Sequence, residues 1–238
     1  MTMNEATNMN PEWIARVMRE NPSQLLDNGN IRTCPVRLSF ANIFKPGKPV
    51  PPNTEGKHGA VLLYPLGAPM DVYIAECLRV TKEKMPAALQ PGGPRIHNPI
   101  KRIKAADDPS VVRGDHTSRY EGYVVGAPVI GVTASQKPPC VDQKLAPITD
   151  ESKVYSGVWA FCTIRAFWFD KGVNKGPSFG LQSVMIIADD RNISGAAANP
   201  NVDFAGVSID ASVNPADAFG TGGTAGQTAQ EPAVSLFG

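Results

Sequence analysis

Residues 155–187, YSGVWAFCTIRAFWFDKGVNKGPSFGLQSVMII, constrain the fold more than any other stretch of this chain. A long aromatic-rich segment runs into a turn bearing Gly and Lys, and a second apolar segment follows. Two strands joined by a short basic turn fit this pattern. Side chains alternate across a strand, so Val158, Ala160, Cys162, Ile164, Ala166 and Trp168 share one face. Trp159, Phe161, Thr163, Arg165, Phe167 and Phe169 share the other. The first set is small and apolar apart from Trp168, as the inside of a small barrel requires. The second mixes aromatics with Thr and Arg. Burying Arg165 without a partner would be costly, so this face is expected to meet solvent or a ligand. Exposed rings on a sheet can stack with nucleic-acid bases at about 1–3 kcal/mol each. The competing reading packs those aromatics beneath the N-terminal helix or the irregular 86–120 segment.

The rest of the chain supplies the partners of this hairpin. Asn10-Pro11-Glu12 reads as a helix start, with Asn as cap, Pro at the first helical position and an acid in the first turn. Trp13, Ile14, Val17 and Met18 then form an apolar stripe up to about Glu20. The pattern predicts strands over 36–44, 59–66 and 120–134, the last bent near Gly126-Ala127-Pro128. Between the second and third of these, residues 70–85 predict a helix with Met70, Ile74, Cys77, Leu78, Thr81 and Met85 on one face. Strands at about 157–169 and 178–188 complete the set. After about Ile193 the composition falls to Ala, Gly, Asn, Thr, Ser and Gln, which cannot bury enough apolar surface to offset ordering entropy. The expected class is mainly β, a small OB-fold-like five-stranded barrel with one internal helix. Residues 1–30 form an N-terminal helical extension, 31–192 the domain, and 193–238 a disordered, mildly acidic tail.

Composition narrows the function. The net charge is +1, but residues 189–238 hold six acids against one base, Arg191, leaving +6 on residues 1–188. A basic body with a mildly acidic tail recurs in proteins that meet nucleic acid. No apolar run is long enough to span a bilayer, and the N-terminus lacks the order of a signal peptide, so a cytoplasmic protein is expected. The four cysteines (Cys34, Cys77, Cys140, Cys162) and three histidines fall in no metal-ligand spacing, which predicts reduced thiols and no structural zinc. No P-loop, dinucleotide fingerprint or nucleophile elbow is present, so neither a catalytic residue nor a cofactor is expected. Basic groups suited to phosphates are Lys171 and Lys175 on the hairpin turn, Lys45, Lys48 and Lys57 around the Pro-rich loop, and Lys101, Arg102 and Lys104 in the KRIK cluster. Solubility alone would also account for lysines in such loops.

The segments RLSFANIFKP (37–46), YEGYVVGAPV and TDESKVYSGVWA with its Gly- and Lys-bearing hairpin and GLQSV resemble a family of phage single-stranded-DNA-binding proteins with an OB fold. The resemblance covers roughly residues 35–190. It implies a non-enzymatic protein that coats single-stranded DNA during phage replication, recombination and repair. By position in the motif it implies Tyr155, Trp159, Arg165, Phe167, Lys171 and Lys175 as groove residues, to which the face analysis adds Phe161. It also implies phage or host replication proteins as partners of the C-terminal tail, which here is sparsely acidic and ends SLFG. A monomer or small homo-oligomer is expected. One departure is topological: the predicted helix follows the second strand, whereas an OB fold usually places it after the third. A virion structural or assembly protein is the alternative, and a metal-dependent nuclease a third reading.

Overall fold

The computed structural model describes residues 10–49, 54–171 and 174–194, all within a unit that ends at Ala197. Helix α1 (Pro11–Glu20) begins as its sequence dictates. The Asn10 side chain accepts from the Glu12 amide at 2.8 Å, Pro11 needs no such partner, and Ile14 is buried. Strands β1 (Gln24–Leu25), β2 (Ile31–Arg32), β3 (Val36–Asn42) and β4 (His58–Leu63) follow, then helix α2 (Asp71–Lys84). Beyond it come β5 (Ile100–Arg102), β6 (Pro128–Ala134), β7 (Cys140–Val141), β8 (Trp159–Lys171) and β9 (Asn174–Ala188).

Five of these strands close a ring. β3 pairs antiparallel with β4, β4 with β6, and β8 with both β3 and β9, while β6 and β9 run parallel. The expected five-stranded, mainly β architecture is therefore present, and α2 does lie between the second and third ring strands. Inside the ring pack Leu38, Leu62, Ile130, Val132, Ala160, Cys162, Ile164, Phe179, Leu181 and Val184. A second, smaller core sits on the outer face, where Leu63, Val129, Ile103, Tyr123, Ala127 and Ile193 meet. Among the described residues no helix is long and apolar enough to cross a membrane.

Two expectations need correction. The strand expected over 120–134 starts only at Pro128, because residues 120–127 turn twice, with Gly122 and Gly126 at φ +80° and +83°. Helix α2 is also rotated from the expected face: Met70 and Thr81 are buried as expected and Cys77 is half-buried, but Tyr73, Glu76 and Val80 point inward while Ile74 and Leu78 are exposed. The large Tyr73 ring decides the rotation. It meets Tyr64 and Phe179 edge-on at 5.3 and 6.0 Å, and its hydroxyl bonds to Ser23 Oγ at 2.8 Å. Glu76 tolerates burial because Arg79 reaches it at 2.9 Å. The expectation of a disordered tail falls on residues 195–238, outside those described.

Candidate nucleic-acid interface

Strand β8 has two unlike faces, and the inner one follows the alternation expected. Ala160, Cys162, Ile164 and Ala166 are buried in the ring, while Phe161 and Thr163 are half-buried and Arg165 and Phe167 exposed. Phe167 is 41% exposed, a large fraction for a ring on a sheet. Arg165 lies opposite Gly180 and Phe167 opposite Ser178, so β9 offers little bulk beside either. A side chain at Gly180 would touch the Phe167 ring at 3.8 Å.

Cross-strand partners share a face, so one outward row can be followed around the ring. Asn42 is opposite Gly59, Gly59 opposite Thr133, Thr133 opposite Gly180, and Gly180 opposite Arg165. Four strand spacings of about 4.8 Å give this row a run of about 19 Å. Its floor is small. Thr133 and Gly131 are exposed, and a side chain at Gly131 would meet nothing within 4 Å. Small residues therefore flank Arg165 and Phe167 on this outer surface, although Gly59 within the row is itself buried, and we refer to the strip as a trough.

Basic groups lie on the neighbouring strands and loops. Lys101 pairs with Val129, which shares the outer face with Gly131 and Thr133, and Arg32 pairs with Thr163 on the face of Arg165. Lys171 and Lys175 stand at the end of the β8–β9 hairpin, and Lys57 is exposed just before β4. His97 belongs to the same neighbourhood: its ring meets Phe169 edge-on at 5.4 Å, and its amide donates to the Lys175 carbonyl at 2.9 Å. Burial, and then nearby Lys101, hold its imidazole below the usual histidine range. Gly176 permits this close approach, since a side chain there would lie 2.8 Å from His97 backbone atoms.

Other expected residues are engaged elsewhere. Trp159 is on the outer face but only 4% exposed, and its Nε1 donates to Asp190 Oδ2 at 2.9 Å. The Tyr155 hydroxyl donates to the Asp190 carbonyl at 2.8 Å. Both are tied to the segment after β9, which folds back over Arg37, though Tyr155 stays half-buried. Arg37 donates to the carbonyls of Gly157 and Arg191 and pairs with Asp190 at 3.4 Å, with both side chains buried. Burial lowers the pKa of Arg37, and Asp190 opposes that shift. The exposed stacking face expected at Trp159 is thus corrected to a buried polar anchor bonded to Asp190. Lys45 pairs with Glu151 at 2.7 Å, and Lys104 with Asp115 at 2.8 Å. Arg102 donates to the Gly126 carbonyl at 2.8 Å. These three do not join the trough side chains through any of those bonds.

Arg32 and His97 as neighbours of the face, and Gly131, Thr133 and Gly180 as its floor, were not expected from the sequence pattern. Phe169 lies on the face where alternation placed it. Arg32 sits on a two-residue strand that no periodicity reveals. Among the described residues no group of His, Cys, Asp and Glu could hold a metal ion.

Residues 29–214 match the protein-family model described as "Enterobacter phage Enc34, ssDNA-binding protein". Among solved structures, the single-stranded DNA-binding protein from bacteriophage Enc34 in complex with ssDNA is similar at TM-score 0.56 and 20% identity, covering 71% of this chain and 92% of that one. A C-terminal truncation of the same phage protein is similar at TM-score 0.53 and 22% identity, covering 72% and 92%. At such identity the likeness speaks for the fold. No curated protein sequence matches the chain.

Proposed function

Since the chain belongs to the phage Enc34 single-stranded-DNA-binding protein family, we propose that it binds single-stranded DNA along the trough between Arg165 and Thr133. The single observation that supports this reading most is the pairing of an exposed cation and an exposed ring, Arg165 and Phe167, with Gly180 and Ser178. Bases have a π-face whatever their sequence, so a ring beside a floor of small residues accepts any of them. Arg165, Lys101, Arg32, Lys171, Lys175 and Lys57 neutralise phosphates, and the contribution of each falls with added salt. Phe161 and Phe169 extend the apolar strip along β8. Lys45, Arg102 and Lys104 serve as outlying cations that leave their present partners only when a longer strand reaches them.

In this reading the protein is a non-enzymatic coat, a monomer or small homo-oligomer that shields transient single strands in replication, recombination and repair of phage DNA. Recruitment of phage or host replication proteins is assigned to the tail, whose next-to-last residue is Phe237. Titration of a labelled oligo(dT) against a duplex of equal length, at two salt concentrations, tests the function. Strong preference for the single strand and a steep loss of affinity with salt are expected, and equal affinity for both would refute the proposal.

A further inference from the structure

Phe40 is a bulky side chain held at φ +47°, a backbone region such residues rarely occupy. It is also 49% exposed, so core packing does not account for the strain. The surrounding structure fixes it firmly. β3 and β4 change register between Ser39 and Asn42, forming an irregularity centred on Phe40. The Ala41 amide donates to Ser156 Oγ at 3.1 Å, Asn42 Nδ2 donates to the Phe40 carbonyl at 3.1 Å, and Tyr123 bonds Ser39 Oγ at 3.1 Å. Strain that is over-determined in this way clusters at functional sites.

The strained backbone aims the ring at Tyr120, itself 47% exposed, and the two meet edge-on at 5.8 Å. Tyr120 is backed in turn by Tyr123 at 5.4 Å. Both exposed rings border a cleft of about 690 Å³ that Asn42, Arg119 and Tyr155 also line. Asn42 is the first residue of the outward row that ends at Arg165. The cleft therefore shares Asn42 with that row.

We propose that Phe40 and Tyr120 form a second base-stacking platform, which engages a single strand only after it has crossed the trough, with Arg119 beside it for a phosphate. The inference rests on the trough reading above. It predicts a dependence on strand length that Arg165 and Phe167 alone would not produce, because the platform and Arg165 stand at opposite ends of the row.

Two variants separate the possibilities. Phe40→Gly removes the ring and places at φ +47° the residue that best tolerates it, so the fold is retained. Tyr120→Ala removes the other ring from a half-exposed position. Affinities are measured for the shortest oligo(dT) that binds, for one several times longer, and for an abasic strand of the longer length. Each variant should bind the long oligo(dT) about ten-fold more weakly than the unaltered protein, on the stacking scale of 1–3 kcal/mol. The short oligo(dT) and the abasic strand should bind as before. Unchanged affinity for the long oligo(dT) in both variants overturns the platform, as does an equal loss on the abasic strand. Failure of the trough reading has a different signature: Arg165→Ala would then leave the short oligo(dT) unaffected.

Discussion

The indole of Trp159 donates to the carboxylate of Asp190 at 2.9 Å, and this bond closes a strap over the outer face of β8. The same carboxylate neutralises buried Arg37 at 3.4 Å. Removing one partner of a buried pair leaves an uncompensated charge, so Asp190→Ala should lower unfolding stability by about 3–5 kcal/mol. Trp159→Phe keeps most of the apolar contact and should cost about 1.5–3 kcal/mol for the charge-assisted bond. Denaturant unfolding measures both losses. The folded fraction of Trp159→Phe should retain its affinity for single strands, since the ring is not available for stacking.

Gly131 offers a test in the opposite direction. Its position on β6 is exposed, and a side chain there would meet nothing within 4 Å. Gly131→Val should raise stability by about 0.5–1 kcal/mol, as expected when Gly is replaced within a strand. It should also weaken oligo(dT) binding by filling the floor of the trough. Thermal unfolding and anisotropy titration on the same sample read the two effects together.

Arg165 should contribute through phosphate, and so its loss should show in salt dependence. Neutralising one phosphate on a single strand changes the slope of log affinity against log salt by about 0.7. Arg165→Ala should therefore bind more weakly at low salt and show a slope shallower by about that amount. Phe167→Ala should weaken binding by about 1–3 kcal/mol and leave the slope unchanged. Titrations at three or more salt concentrations separate the two behaviours.

The thiols should be quiet in the native state. Cys34, Cys140 and Cys162 are buried, and burial pushes Cys140 up to about 11 and half-buried Cys77 up to about 12. Only the thiolate reacts, so alkylation by iodoacetamide at pH 8 should be slow for folded protein. All four cysteines should react promptly once the chain is unfolded. Mass spectrometry of the modified protein reads both states.

Much of the fold was legible because its signals are local. Alternation along 160–167 separates ring interior from exterior, and the Asn-Pro-Glu start marks α1. Helix α2 was found, but its face only in part, because its rotation depends on Tyr73 meeting Tyr64 and Phe179, which are distant in sequence. Trp159 shows the same limit. Alternation places it correctly on the outer face, yet a strap some 30 residues later covers it. Arg165 and Phe167 needed only local pattern, whereas the floor at Thr133 and Gly180 depends on a parallel pairing that no short motif announces. Phe40 lay within a recognised strand, but nothing in its neighbours' identities signals a left-handed backbone.

The central claim is that Arg165 and Phe167 form the wall of the strand-binding trough. The most direct measurement is the affinity of the double variant Arg165→Ala/Phe167→Ala for oligo(dT) at low salt, with its unfolding midpoint recorded beside it. Both side chains are exposed, so the midpoint should stay close to that of the unaltered protein. The affinity should fall by at least about ten-fold. An unchanged affinity in a normally folded variant would contradict the account.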